Sequence, residues 1–109
     1  MSALIGSMAL TLVMALAAPI IPETVDVDGM GQVDLKSFTC SDTPRSTVIQ
    51  RVCYARPQRI MIASVRGNYR VACGLPPNIY NAFITADSMG RFYGRSISGN
   101  VTFQCRSSR

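Results

Sequence analysis

Histidine and tryptophan are absent from the 109 residues, lysine occurs once, and the segment from Lys36 to Arg109 holds only two carboxylates, Asp42 and Asp87. A Ser-His-Asp relay has no base without histidine, and two acids so far apart in sequence do not make a ready hydrolytic pair. These absences point to a non-enzymatic protein. No Cys-x-x-Cys occurs either, and Cys40, Cys53, Cys73 and Cys105 are spaced by 13, 20 and 32 residues. Structural zinc sites draw on close cysteine pairs, so neither a metal nor a cofactor is expected, and a thiol–disulfide redox protein is a weaker alternative.

Charge is missing from the first twenty-one residues, and no base precedes Lys36. The apolar-to-small run from Ala3 to Ala18 contains Ala15-Leu16-Ala17, a small-x-small cleavage site ahead of Pro19. This reads as an export signal, residues 1–17, removed to give a periplasmic or secreted protein. The competing readings are an uncleaved membrane anchor, since Ala3 to Ile21 is just long enough to span a bilayer, and a buried core helix. In an oxidising compartment an even number of cysteines in a small domain implies disulfides.

What the chain does have is arginine. From Lys36 onward there are eleven bases against two acids, a balance of 11 − 2 = +9, whereas residues 18–35 carry four acids and no base. The acidic stretch, 18–36, with Pro19, Pro22, Gly29 and Gly31, reads as a flexible linker before a basic domain at 37–109. About seventy residues is near the lower limit for a core to hold a chain folded, so cross-links are physically expected.

Within that domain, Ser46–Tyr54, Arg59–Arg66 and Tyr69–Cys73 are rich in β-branched residues and separated by Arg56-Pro57-Gln58 and Gly67-Asn68, which predicts a three-stranded meander. Pro76-Pro77 then opens a helix reaching Ala86, with Ile79, Tyr80, Phe83 and Ile84 on one face. Asp87-Ser88-Met89-Gly90 reads as its exit, with Gly90 at positive φ, and Arg91–Ser96 and Val101–Cys105 as closing extended segments. The expected fold is α+β: a small antiparallel sheet, a meander of three strands plus one or two closing strands, with one helix on a face and disulfide staples.

Of the three ways to pair four cysteines, Cys40–Cys105 with Cys53–Cys73 is favoured because the first bond joins the ends of the domain. The outer strands of a flat meander lie nearly 10 Å apart, beyond disulfide reach. That pairing therefore needs a strongly rolled sheet, and the alternative is Cys53–Cys105 with Cys40–Cys73.

Leu75-Pro76-Pro77-Asn78-Ile79-Tyr80 followed by Ala86-Asp87-Ser88-Met89-Gly90-Arg91-Phe92-Tyr93, with Val52-Cys53-Tyr54 and Gly67-x-Tyr69 upstream, resembles the KTSC domain family over about Ser46–Ile97. Members occur at the C-terminus of some lysyl-tRNA synthetases and as free-standing small bacterial proteins. The resemblance implies the fold and, through the synthetase association, a nucleic-acid (RNA) partner. Where the family typically has Tyr-x-Tyr, this chain has Tyr69-Arg70-Val71, leaving one of two aromatics for base stacking.

The candidate contact residues are Arg51, Arg66, Tyr69, Arg70, Arg91 and Arg95, because guanidinium forks suit phosphate or carboxylate. For an exported protein the partners would be an anionic envelope component or an acidic protein. The competing view is a solvated basic surface that keeps a small domain soluble. Ser88-Met89-Gly90-Arg91 reads either as a backbone anion nest or as a helix-ending turn. Asn100-Val101-Thr102 matches a glycosylation sequon and also suits a plain turn.

Overall fold

The computed structural model describes residues 22–106, so the apolar run and the cleavage site after Ala17 lie outside the described residues. Six strands form one mixed sheet: β1 Thr24–Val27, β2 Gly31–Asp34, β3 Thr39–Asp42, β4 Ile49–Ala55, β5 Ile60–Val65 and β6 Asn68–Ala72. Their spatial order is β2-β1-β6-β5-β4-β3. The pairs are antiparallel except β1 with β6, which run parallel through Val27 and Tyr69.

The expected meander is present as β4–β5–β6. Its second turn is Arg66-Gly67 rather than Gly67-Asn68, since Val65 pairs with Asn68 and both turn residues have positive φ, 51° and 85°. That conformation matches the natural twist of a two-residue hairpin. The strand count is the first correction. The expected linker at 18–36 instead supplies two strands, since 24–27 and 31–34 are β1 and β2, an antiparallel hairpin whose Val25 and Val27 are buried.

The hairpin is part of the sheet because the sheet is rolled. Strands β2 and β3 stand at opposite edges, which in a flat six-stranded sheet would be about 24 Å apart. The chain from Asp34 to Thr39 spans at most about 18 Å. The edges must converge, and the connector residues Leu35 and Phe38 fall in one apolar cluster with Val25, Val27, Cys53 and Ile62.

The opposite face of the sheet is covered by helices. The first, α1, is Pro77–Ile84, opened by its proline and closed at Thr85. The second, α2, is Met89–Phe92, and it runs on as a π-helical turn over Tyr93–Ile97 before a 3₁₀ turn at Val101–Phe103. The closing segments are therefore helical, not extended. Met89, Tyr93 and Ile97 recur every fourth residue and are all buried, a helical repeat that outweighs the β-branched and aromatic content of the segment. Ser88 caps α2, accepting from the Arg91 amide at 3.3 Å. The exit glycine is also reassigned, because Gly90 does not have positive φ. It sits against Val48, where a Cβ would come within 3.0 Å of the valine Cβ.

Phe83 is fully buried at the centre of this face, with the rings of Phe92 and Tyr93 at 5.9 and 6.1 Å. Tyr54 stacks on Tyr80 at 4.1 Å and donates to the Leu75 carbonyl at 2.6 Å. Both cross-links differ from the expected pairings. Cys40 lies directly opposite Cys53 in the β3–β4 register, with Cα atoms 4.0 Å apart, and the two are bonded. Cys73, just beyond β6, is bonded to Cys105, and the Cys73 amide donates to the Phe103 carbonyl at 2.8 Å. β3 places Cys40 beside Cys53, and the segment after the 3₁₀ turn places Cys105 beside Cys73, so neither Cys53 nor Cys73 is left to bond the other.

Candidate functional site

Two features of local structure bring separate arginines to one place. The β5–β6 turn carries Arg66, whose amide donates to the Val48 carbonyl at 2.8 Å and so ties the hairpin to the loop ahead of β4. Ser46 stiffens that loop by accepting from the Val48 and Ile49 amides at 3.2 and 2.9 Å. The close approach of Gly90 to Val48 then brings the start of α2 against the same loop. Between these three walls lies an open cleft of about 750 Å³, lined by Arg45, Arg66, Arg70 and Arg91, with Asp87 as its one carboxylate.

Arg45, Arg66 and Arg91 make no ion pair among the described residues, while Arg70 approaches Asp28 only at 4.0 Å, in an exposed setting. Tyr93 also lines the cleft. Burial pushes its phenol up, with Arg70 opposing, so the ring stays neutral at physiological pH. Multiple guanidinium forks around one hollow suit a planar or tetrahedral oxyanion.

Of the six expected contact residues, the structure gathers Arg66, Arg70 and Arg91 and separates the other three. Tyr69 precedes Arg70 in a strand, so the two point to opposite faces. Tyr69 packs in the apolar cluster beneath the N-terminal hairpin. Arg51 joins it there because the ladder shifts between Ile49 and Arg51, a bulge at Gln50 that turns Ile49 and Val52 toward the helices and Arg51 away.

The Arg51 guanidinium forms a two-pronged ion pair with Glu23, with Nη2 donating to Oε1 at 2.8 Å, and its Nη1 stands 3.4 Å from the Tyr69 hydroxyl. These bonds push Arg51 further up, and the Arg51 hydrogen bond lowers Glu23. Arg95 is exposed on the π-helical turn and does not line the cleft. Arg45 is the residue that sequence reasoning missed. Its signal was a position beside Pro44 at the start of a loop closed by Ser46.

Ser88 works as a helix cap, which accounts for the Ser88–Arg91 motif, and Asn100 similarly accepts from the Thr102 amide at 2.9 Å at the start of the 3₁₀ turn. Among the described residues, no group of three or more His, Cys, Asp or Glu is placed to hold a metal, and no helix is long and apolar enough to cross a membrane.

A rolled sheet with helices on one face and a cationic cleft at the junction of loop, hairpin and helix defines a small α+β domain. Residues 45–101, a little over half of the chain, match the KTSC domain, and the protein belongs to that family. The matched span begins at Arg45 and contains every residue lining the cleft, whereas Glu23 and the N-terminal hairpin fall outside it. No curated protein and no solved structure matches the chain.

Proposed function

We propose that the domain is a non-enzymatic binding module that takes an anionic ligand in the arginine cleft, acting outside the cytoplasm. The observation that carries this is the convergence of Arg45, Arg66, Arg70 and Arg91 on one hollow with a single opposing carboxylate. Two disulfides in a domain of this size fit an oxidising compartment, in keeping with an export signal at residues 1–17. The burial of Cys53 favours a structural cross-link over a redox couple. The nucleic-acid reading carried by the family would place an exposed aromatic beside the arginines, whereas Tyr69 stands on the other side of the sheet from the cleft and Tyr93, which does line it, is buried.

Heparin serves as a probe polyanion for the test. Its affinity should fall steeply between low and high salt, and Arg66→Ala with Arg91→Ala should weaken it about tenfold, while Arg95→Ala leaves it nearly unchanged. Equal losses from all arginine substitutions would assign the charge to a diffuse solvated surface. Fractionation with intact-mass measurement of the native protein checks the compartment, the cleavage and both cross-links together.

A further inference from the structure

The cleft does not end at its arginines. A second hollow of about 320 Å³ opens between the β3–β4 connection and α1, lined by the apolar side chains of Pro44, Val52, Tyr80, Ile84 and Met89, with Asp42 as its one charged group besides Arg45. Arg45 and Met89 line both hollows, so the cationic cleft and the apolar groove adjoin at these two side chains. Tyr80 and Ile84 are only half-buried and belong to the face that α1 lays on the sheet, so their outer surfaces are open to a ligand.

We infer that the ligand is an anionic amphiphile, with a phosphate head group held by Arg66, Arg91 and Arg45 and a single alkyl chain passing over Met89 into the groove beside Tyr80 and Ile84. This rests on the anion-site reading above and names its ligand class. Charge complementarity selects the head group, since the cleft presents four guanidinium groups to one carboxylate. The groove selects the tail, because an apolar chain there loses contact with water against the side chains of Pro44, Val52, Tyr80, Ile84 and Met89. A uniformly charged polymer would gain nothing from the apolar groove and would meet the carboxylate of Asp42 in its lining. Arg45 lines both hollows, where a long cationic side chain can cover apolar surface with its stem and offer its head to the anion.

The test is calorimetric titration of the oxidised native protein, at fixed ionic strength, with methyl, n-butyl and n-octyl phosphate and with neutral n-octyl glucoside. Affinity should rise with chain length, with octyl phosphate at least roughly tenfold tighter than methyl phosphate and octyl glucoside showing no saturable binding. Ile84→Asn should remove the dependence on chain length and leave methyl phosphate unaffected. Arg66→Ala with Arg91→Ala should weaken every phosphate in the series. Equal affinity for methyl and octyl phosphate would overturn the amphiphile inference while leaving the anion site standing. Binding of octyl glucoside as tightly as octyl phosphate would overturn it by removing the role of the head group. Absence of binding by all three phosphates would overturn both readings. The chain-length series on the unaltered protein decides the matter even if the Ile84 variant fails to fold.

Discussion

The two faces of the sheet are closed by different means. Under the helices, Phe83, Phe92, Tyr93, Met61 and Leu75 fill the space with large side chains, and neither disulfide lies within that cluster. Under the N-terminal hairpin the buried residues are smaller, Val25, Val27, Leu35 and Ile62, and the Cys40–Cys53 bond with the Glu23–Arg51 ion pair fastens the cover down. A two-turn helix can bring several long side chains to one point. A four-residue strand brings two, so the second face depends more on cross-linking than on packing.

The contrast bears on function because the arginine cleft lies at the rim of the helical face. The walls of the cleft are held by aromatic packing and backbone hydrogen bonds, while the Cys40–Cys53 bond lies under the opposite face. Loss of the Cys40–Cys53 bond should therefore destabilise the domain without first disordering the cleft.

The largest effect belongs to the packed face. Phe83→Ala removes a fully buried ring and should cost about 3–5 kcal/mol, whereas Val27→Ala on the other face should cost about 2 kcal/mol. Chemical denaturation measures both, and equal losses would erase the distinction between the faces.

Next come the cross-links. By chain entropy, removing Cys40–Cys53 costs about 3 kcal/mol, and removing Cys73–Cys105, which closes the longer loop, slightly more. In hydrogen exchange, the Cys40→Ala and Cys53→Ala double variant should lose protection first in β1 and β3, with α1 retained until global unfolding. Simultaneous loss in α1 would show that the two faces open as one unit.

The smallest effect is the ion pair. Glu23 is held below its ordinary value of 4.5 by the Arg51 hydrogen bond, so its contribution is present above pH 4.5 and is lost as pH falls through the lowered folded value. Glu23→Gln should flatten the stability profile in that acid window and leave the profile above pH 6 unchanged in shape. An unaltered acid limb would mean that the pair adds nothing.

Much of the meander was legible in the sequence, because β-branched runs between turn residues specify β4, β5 and β6, and Pro76-Pro77 specifies the start of α1. The hairpin β1–β2 was not, since its strands are four residues long, acidic on their outer positions and interrupted by Gly29 and Gly31. Only the burial of Val25 and Val27 against Cys53 and Ile62 makes them strands, and that is tertiary information. With β3 unrecognised, Cys40 had no neighbour, and the disulfide pairing went wrong with it.

The site was half legible. Arginine content marked a basic surface, and Arg66, Arg70 and Arg91 do converge. Strand alternation alone would have separated Tyr69 from Arg70. The bulge that turns Arg51 toward Glu23 has no local signature, because it arises where Gln50 reaches across to accept from the Gly67 amide at 3.0 Å. Arg45 was overlooked because nothing in sequence places the loop before β4 against the start of α2, which only the Gly90–Val48 contact does.

The most direct measurement is a titration of the native protein with methyl phosphate, followed through the arginine Nε–Hε resonances in NMR. The account requires saturable shifts at Arg45, Arg66 and Arg91, with Arg51, Arg56 and Arg95 nearly still. Uniform, non-saturating shifts across all the arginines would contradict it and leave only a basic surface with no cleft that binds.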